Sequence, residues 1–330
     1  MKEIVLIGCG KSKLPTASRA KDLYQGDLFR KSWLVAEKDY PKADRYILSA
    51  KHFLLDPEKT IDPYDETLNG KRVAEKKAWA QKVISQLIGK GYDLKKDQFI
   101  FYAGDDYTRY LISPEGPIEN FKSIYNGFGG IGFILQGLNA GLLQFAQNFQ
   151  GSHLESVANL RNLLSNQNFV KKEPGVYRLW VKEGAAISML NNLKTPVVIS
   201  RILKRKIQTG TYLALYFGMS KNLFDRLKWH ILQQHDPSTA KNGTISTLRH
   251  TLSAVLFMKR PLTQTETDLN KWMDDNCYFE WENLAGISLA KYVEDVQLKR
   301  NCYPLNIQDN HNIPANLRKE IKNLRKDVKK

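Results

Sequence analysis

Three short apolar runs, EIVLIGC, RYILSA and DQFIFYAG, punctuate the first 145 residues. Helix-compatible stretches lie between them. In RVAEKKAWAQKVISQLIGKG, Val73, Trp79, Val83 and Leu87 make one face before Gly89 and Gly91 stop the helix. Strands alternating with helices specify a three-layer α/β fold with a mainly parallel sheet, whose active groups gather where strands end. The second half follows another order. GVYRLWVK opens it as a strand, an insert and a second strand follow, and then come helices and a tail, the pattern of a small α+β domain. A chain of 330 residues fits two domains of about 150 residues each. The expected division is an α/β domain over 1–145, a linker over 146–172, an α+β domain over 173–310 and a basic helix over 311–330.

Charge restricts the partners. Lys and Arg number 50 against 34 Asp and Glu, a net +16 that attracts a polyanion and favours DNA. No apolar run approaches the roughly 20 residues of a membrane span, so no membrane partner is expected. The start, MKEIVLIGCGKSK, is broken by Gly8 and Lys11 and reads as a buried strand running into a glycine turn, not as a secretory leader. Cys9, Cys277 and Cys302 have no metal-type spacing, which argues against a zinc site or a disulfide framework and for a reducing cytoplasm. The tail ANLRKEIKNLRKDVKK places Leu317, Ile321, Leu324 and Val328 at helical spacing, as a docked helix would, while its cations can touch phosphates without sequence selectivity.

The stretch LYFGMSKNLFDRLKWHI reads as strand, turn and helix, with Ser220 as N-cap and Leu223, Leu227 and Ile231 as the buried stripe. Arg226 and His230 stand four residues apart and can point together. By themselves they suit a solvated face as well as a site. Hydrolysis of a phosphodiester by a metal-dependent enzyme needs a carboxylate for the cation, a group to activate water and cations around the phosphate.

GVY at 175–177 and YFG at 216–218 resemble the two signature strands of the GIY-YIG endonuclease superfamily, and SKNLFDRLKWHI resembles its arginine- and histidine-bearing helix. In EDVQLKRNCYPLN a helical glutamate, Glu294, precedes Pro-x-Asn, with Asn306 twelve positions on, as in the family's closing motif. STLRHTL, a WM helix and FEWEN are similar to one bacterial branch. The resemblance spans about residues 173–310 and implies a DNA endonuclease in which Glu294 holds Mg²⁺ or Mn²⁺. It further implies that Tyr177 or Tyr216 orients or deprotonates water, Arg226 pairs with the phosphate, His230 assists proton transfer and Asn306 holds the site's shape. The signature strands are separated by a longer insert than is usual in the family, and Tyr212 competes with Tyr216 for the second tyrosine position. The insert's RILKRK is basic and suits a DNA grip or a solvated edge equally. In STLRHTL, Leu248, Leu252 and Leu256 have core spacing, while Arg249 and His250 can face either the site or solvent.

In the first half, GCGKSK follows the first strand, where a glycine turn leaves backbone N–H groups for an anion beside Lys11 and Lys13. It lacks the Walker A spacing. With SAKHFLL, PYDETL and GFGGIGFILQGLN it resembles a bacterial domain family opening Cys-Ser-Lys-Ser-Lys, distantly similar to YaaA-type and DNA-glycosylase-like folds; here Gly10 stands where Ser is usual. The pocket residues so indicated are Cys9, Lys11, Ser12, Lys51, Asp62, Tyr64 and Asp65. Loop carboxylates beside Lys11, Lys51 and His52 could assist loss of a base from its sugar, or simply cap the next helix. Tyr24, Tyr64, Phe101 and Tyr102 are the candidate stacking platforms for a flipped base. The function expected from both halves is DNA cleavage joined to base recognition or excision, as in genome or phage defence. The alternatives are a nucleobase-acting enzyme with a vestigial nuclease half and a non-catalytic DNA clamp.

Overall fold

The computed structural model describes residues 1–164, 169–207, 209–233, 246–258 and 260–328. The chain divides into two compact units, 1–143 and 144–330. In the first, β1 (Glu3–Gly8), α1 (Asp27–Asp39), β2 (Asp44–Ser49), β3 (Phe53–Leu55), α2 (Val73–Gly89), β4 (Gln98–Tyr102) and β5 (Phe121–Ser123) follow in chain order, and α3 (Ile131–Gln147) crosses the division. The sheet runs β3-β2-β1-β4-β5. β1 is parallel to β2 and β4, β4 is parallel to β5, and only the β2–β3 hairpin is antiparallel. This is the mainly parallel α/β layer expected from the strand–helix alternation. The runs are apolar throughout because both faces are covered, and Ile4, Val5, Leu6 and Ile7 are all fully buried. α2 packs Trp79, Val83 and Leu87 inward, but Val73, at its first turn, lies at the surface, so the buried face starts later than the spacing suggests.

The second unit is built on an antiparallel sheet. In chain order it contains β6 (His153–Ser156), α4 (Val157–Leu163), β7 (Gly175–Lys182), α5 (Glu183–Leu190), β8 (Lys204–Ile207), β9 (Gly210–Ser220), α6 (Leu223–Leu232), α7 (Thr247–Phe257), α8 (Leu262–Asn276), β10 (Cys277–Asn283), α9 (Ile287–Arg300) and α10 (Ala315–Asp327). The sheet order is β8-β9-β7-β10-β6. The two strands of the expected motif are therefore direct neighbours, and the long insert between them folds as α5 plus the edge strand β8. Within 146–172, read from sequence as a linker, β6 pairs with β10 and α4 buries Val157 and Leu160 in the second unit's core; residues 165–168 lie outside the described residues. α10 docks through buried Leu317, Ile321 and Val328.

Side chains alternate across β7. Tyr177, Leu179 and Val181 enter the main apolar core, while Arg178 and Trp180 face a buried polar network. Its centre is Glu280, fully buried on β10. Oε2 accepts from Arg178 Nη1 at 2.8 Å and Trp180 Nε1 at 2.9 Å, and Oε1 accepts from Arg205 Nη1 at 2.8 Å and the Gly151 amide at 2.9 Å. Arg178 continues to Gln297 on α9 at 3.1 Å and to the Tyr303 hydroxyl at 3.2 Å. Four donors on one carboxylate offset its desolvation and tie β7, β8, β10 and α9 together. Removing one partner of such a pair leaves the other charge buried. Arg178→Ala should therefore lose about 3–5 kcal/mol in urea unfolding, whereas Arg205→Ala, at the wetter rim of the network, should lose far less.

Candidate functional site

The candidate site grows from an irregularity in β9. Ala214 pairs with Trp180, but the next register partner, Leu179, is opposite Tyr216, so Leu215 is an extra residue. In regular pairing Tyr216 would oppose Arg178 and share the Trp180 face. The bulge turns it to the opposite face, beside Tyr177. Tyr212, before the bulge, stays on the Trp180 face, 5.1 Å from the Tyr278 ring, with its hydroxyl 2.7 Å from Thr209 Oγ1. The Tyr177 and Tyr216 rings stack at 6.0 Å.

Two glycines make this approach possible. A Cβ on Gly218 would sit 2.7 Å from the Tyr177 ring and hydroxyl, and one on Gly175 would sit 2.2 Å from the Glu282 carbonyl oxygen and 2.4 Å from Leu223 Cδ1. The first clearance admits Tyr177 beneath β9, and the second lets the start of α6 pack on β7.

The free edge of β9 is served in sequence by different partners. Leu203 accepts from Ala214 N at 2.9 Å, and Leu305 N donates to the bulged Leu215 carbonyl at 3.0 Å. The Asn306 amide takes both backbone groups of Phe217, accepting from N at 2.8 Å and donating to O at 2.7 Å. Glu294 Oε1 then accepts from Met219 N at 3.1 Å. The Pro-Leu-Asn segment thus acts as a short surrogate strand, and Glu294 on α9 is anchored to β9 three residues beyond Tyr216.

On α6 the N-cap is Asn222, whose side chain accepts from Asp225 N at 3.1 Å. Ser220, expected there, closes β9 and binds the Asn222 backbone, so the helix starts two residues later than its polar signal. Leu223, Leu227 and Ile231 are buried as expected, and so is His230. Its Nε2 is 2.7 Å from the Tyr177 hydroxyl and its Nδ1 2.7 Å from Ser246 Oγ. Burial, then the charges of Arg226 and Arg249, push the imidazole down to about 3, so it is neutral at physiological pH. Arg226 is half-buried with its guanidinium 5.4 Å from the Trp229 ring, and its positive charge reaches Tyr177, Tyr216, His230 and Glu294.

Burial pushes both phenols up, Tyr177 well above the ordinary value, and their mutual interaction raises Tyr177 and lowers Tyr216. Of the two, Tyr216 is the easier to ionise. It is also the one that lines a cavity of ≈ 110 Å³, together with Glu294, Asn306, Asp309 and Arg325. Tyr177 and His230 stand behind it.

Sequence reasoning left the place of Arg249 open. It is fully buried and points away from this cavity, bonding Glu266 at 2.5 Å, Asn270 at 2.8 Å and the His230 carbonyl at 3.3 Å. It clamps the end of α6. Ser246, Asp309 and Arg325 were missed; only Ser246, opening STLRHTL as a helix N-cap, carried a local signal. In the basic insert Lys204 pairs with Glu183 and Arg205 with Glu280, a structural use other than the DNA grip or solvated edge expected of it.

In the first unit, Tyr64 is the hub. Its hydroxyl is 2.7 Å from both Tyr24 OH and Ser49 Oγ, and Ser49 Oγ accepts from His52 N at 2.9 Å. Lys13 Nζ lies 4.3 Å and Lys51 Nζ 5.7 Å from the Tyr64 ring centroid. Cys9, at the end of β1, meets the Tyr107 hydroxyl at 3.4 Å. Lys11, Ser12, Asp62 and Asp65 are exposed and their side chains join none of the bonds that hold Tyr64, so Lys13 takes the place expected of Lys11. Tyr24, Phe101 and Tyr102 are core residues, which removes them as stacking platforms; Tyr64 alone of the four is partly open.

Among the described residues no three His, Cys, Asp or Glu side chains group as metal ligands. Glu294 nevertheless fits a cation of the Mg²⁺ type, which binds one or two carboxylates and keeps several waters. Burial first, and Asp309 after it, push its carboxyl up to about 7 against the Met219 hydrogen bond and Arg226. The sign follows: with its folded pKa above the unfolded one, the carboxylate's cost is absent below about pH 4.5 and grows as pH rises through 7. In metal-free buffer Glu294→Gln should stabilise the protein by about 2–3 kcal/mol at pH 8, and the advantage over the parent should vanish by about pH 4 in denaturant titrations.

The two units match different families. Residues 4–139 match a family of unknown function, DUF6884, a match that carries no link to YaaA-type or glycosylase folds. No curated protein and no solved structure matches the chain. No helix among the described residues is long and apolar enough to cross a membrane. Residues 175–327 match the GIY-YIG catalytic domain, a match that takes in α10 beyond the expected boundary at 310 and points to nuclease activity in the second unit.

Proposed function

We propose that the second unit hydrolyses DNA phosphodiesters with Tyr216 as the residue that activates water. The observation that carries this reading is the hydrogen-bonded run from Ser246 through His230 to Tyr177, whose ring stacks on Tyr216 at 6.0 Å beside a cavity shared with Glu294. In this reading Ser246 donates to His230 Nδ1, Nε2–H donates to the Tyr177 oxygen, and the Tyr177 hydroxyl proton is left to serve Tyr216. With the donors facing one way, negative charge arriving on Tyr216 meets the adjoining Tyr177 hydroxyl proton. Neutral His230 is compatible with this polarity, since its low pKa leaves one ring nitrogen as donor and the other as acceptor.

Arg226 supplies positive potential to the same oxygen and to the phosphate. Asn306 fixes the strand that carries Tyr216. Glu294 would hold a divalent cation, Mg²⁺ or Mn²⁺, which supplies charge neutralisation at the phosphate when bound. The first unit we assign to recognition of a base or nucleotide around Tyr64, flanked by Lys13 and Lys51. Excision is the less supported half of the original expectation, since Asp62 and Asp65 lie apart from that network.

Supplied with Mg²⁺ or Mn²⁺, the purified protein should nick or cut duplex DNA. Glu294→Ala should abolish cutting and leave binding intact. Tyr216→Phe should lower the cutting rate by about 10²–10⁴-fold, and Tyr177→Phe by less. Equal cutting by Tyr216→Phe and parent would remove the role given to that phenol, and loss at Tyr177 greater than at Tyr216 would reverse the assignment.

A further inference from the structure

The ≈ 110 Å³ cavity at Tyr216 and Glu294 adjoins a groove of ≈ 690 Å³ along α10, and Ile307, Gln308 and Arg325 line both. The groove wall is cationic, carrying Arg318, Lys319, Lys322, Arg325 and Lys326. Lys319, Lys322 and Lys326 are exposed, and none of the five cations forms an ion pair among the described residues. Lys319, Lys322 and Lys326 face away from Leu317 and Ile321, which pack inward, and Arg318 and Arg325 flank them half-buried.

Arg325 occupies the junction. Its carbonyl accepts from His250 Nε2 at 2.7 Å, which puts the ring proton on Nε2 and leaves Nδ1 to accept from Arg325 Nε at 3.3 Å. This double contact fixes the guanidinium stem and leaves both Nη groups without a hydrogen bond to another described residue. A half-buried cation held in this way, at a cavity shared with Tyr216, is placed for an anionic partner that is not part of the chain.

We propose that α10 is a track for the DNA backbone, and that its last turn presents Arg325 to the phosphate at the Tyr216–Glu294 cavity as a second cation beside Arg226. The proposal rests on the nuclease reading for the role of Arg325, while the track itself stands on charge and shape. From Lys319 to Lys326 the helix rises about 10 Å, enough to follow roughly three phosphates of one strand. Contacts of this kind are made to the backbone and carry no sequence preference. DNA fits the wall better than an acidic peptide because the groove leads into a cavity whose other groups suit a phosphodiester.

Binding of a 5′-labelled duplex by anisotropy, across a salt series in EDTA, tests the track. Lys319→Ala/Lys322→Ala/Lys326→Ala should weaken binding and lower the slope of log K against log salt by about 2–3, with thermal unfolding unchanged. Arg325→Ala should lower that slope by at most about 1 yet reduce metal-dependent cutting about a hundredfold; Arg325→Lys should recover part of it. A triple variant with the parent's affinity and slope overturns the track, and would do so even if the parent cuts DNA. Normal cutting by Arg325→Ala overturns the second-cation role. Should the parent cut nothing while the triple variant loses its salt slope, the track stands and the nuclease reading falls. If polyglutamate displaces the duplex and binds as tightly at equal salt, the surface is a general polyanion or acidic-peptide site, and the DNA assignment is overturned.

Discussion

One extra residue in β9 decides what the second unit can do. Antiparallel strands alternate their side chains strictly, so a tyrosine four residues after Tyr212 would share its face without interruption. The bulge at Leu215 breaks that rule once and sends Tyr216 into the core side, where Tyr177 and His230 already are. The cost of the bulge is an unpaired carbonyl, and Leu305 N satisfies it. Asn306 and Glu294 follow from the same requirement, since each completes a backbone group on the same edge. Backbone satisfaction and site assembly are therefore one construction.

Burial has opposite uses on the two sides of this sheet. Around Glu280 the carboxylate meets four donors, and the result is rigidity. Around Glu294 a single hydrogen-bond donor meets the carboxylate, and burial outweighs that bond and the charge of Arg226. The first arrangement needs nothing further, whereas the second would be relieved by a cation. That contrast, visible between two glutamates of one domain, separates a structural acid from a functional one more clearly than residue type does.

Much of this was legible before any coordinates. The first unit's sheet follows from apolar runs alternating with helical faces. In the second, the order of GVY, YFG, Arg226, His230, Glu294 and Asn306 indicated which residues meet, because a helix fixes four-residue spacings and a short Pro-Leu-Asn turn has limited reach. The bulge was not legible, since TYLALYFG reads as a uniform strand and pairing register belongs to two strands at once. Ser220 misled because a polar residue closing a strand and one opening a helix look alike in sequence. Tyr24, Phe101 and Tyr102 misled because aromatic residues serve cores and stacking platforms equally well, and a sheet covered on both faces claims them for the core. Arg325 was hidden among similar cations in the tail, and its distinction comes only from His250, 75 positions away.

The insert between the signature strands has a consequence of a different kind. A sheet that ended at β9 would expose an eleven-residue edge, long and largely apolar, to any extended chain in its vicinity. β8 occupies part of that edge and becomes the outermost strand itself, with Lys204 and Lys206 exposed along it, and β6 finishes the other side with only four residues. Short, charged margins resist strand addition. The lobe that lengthens the motif thereby gives the sheet a short, lysine-bearing margin in place of a long apolar one.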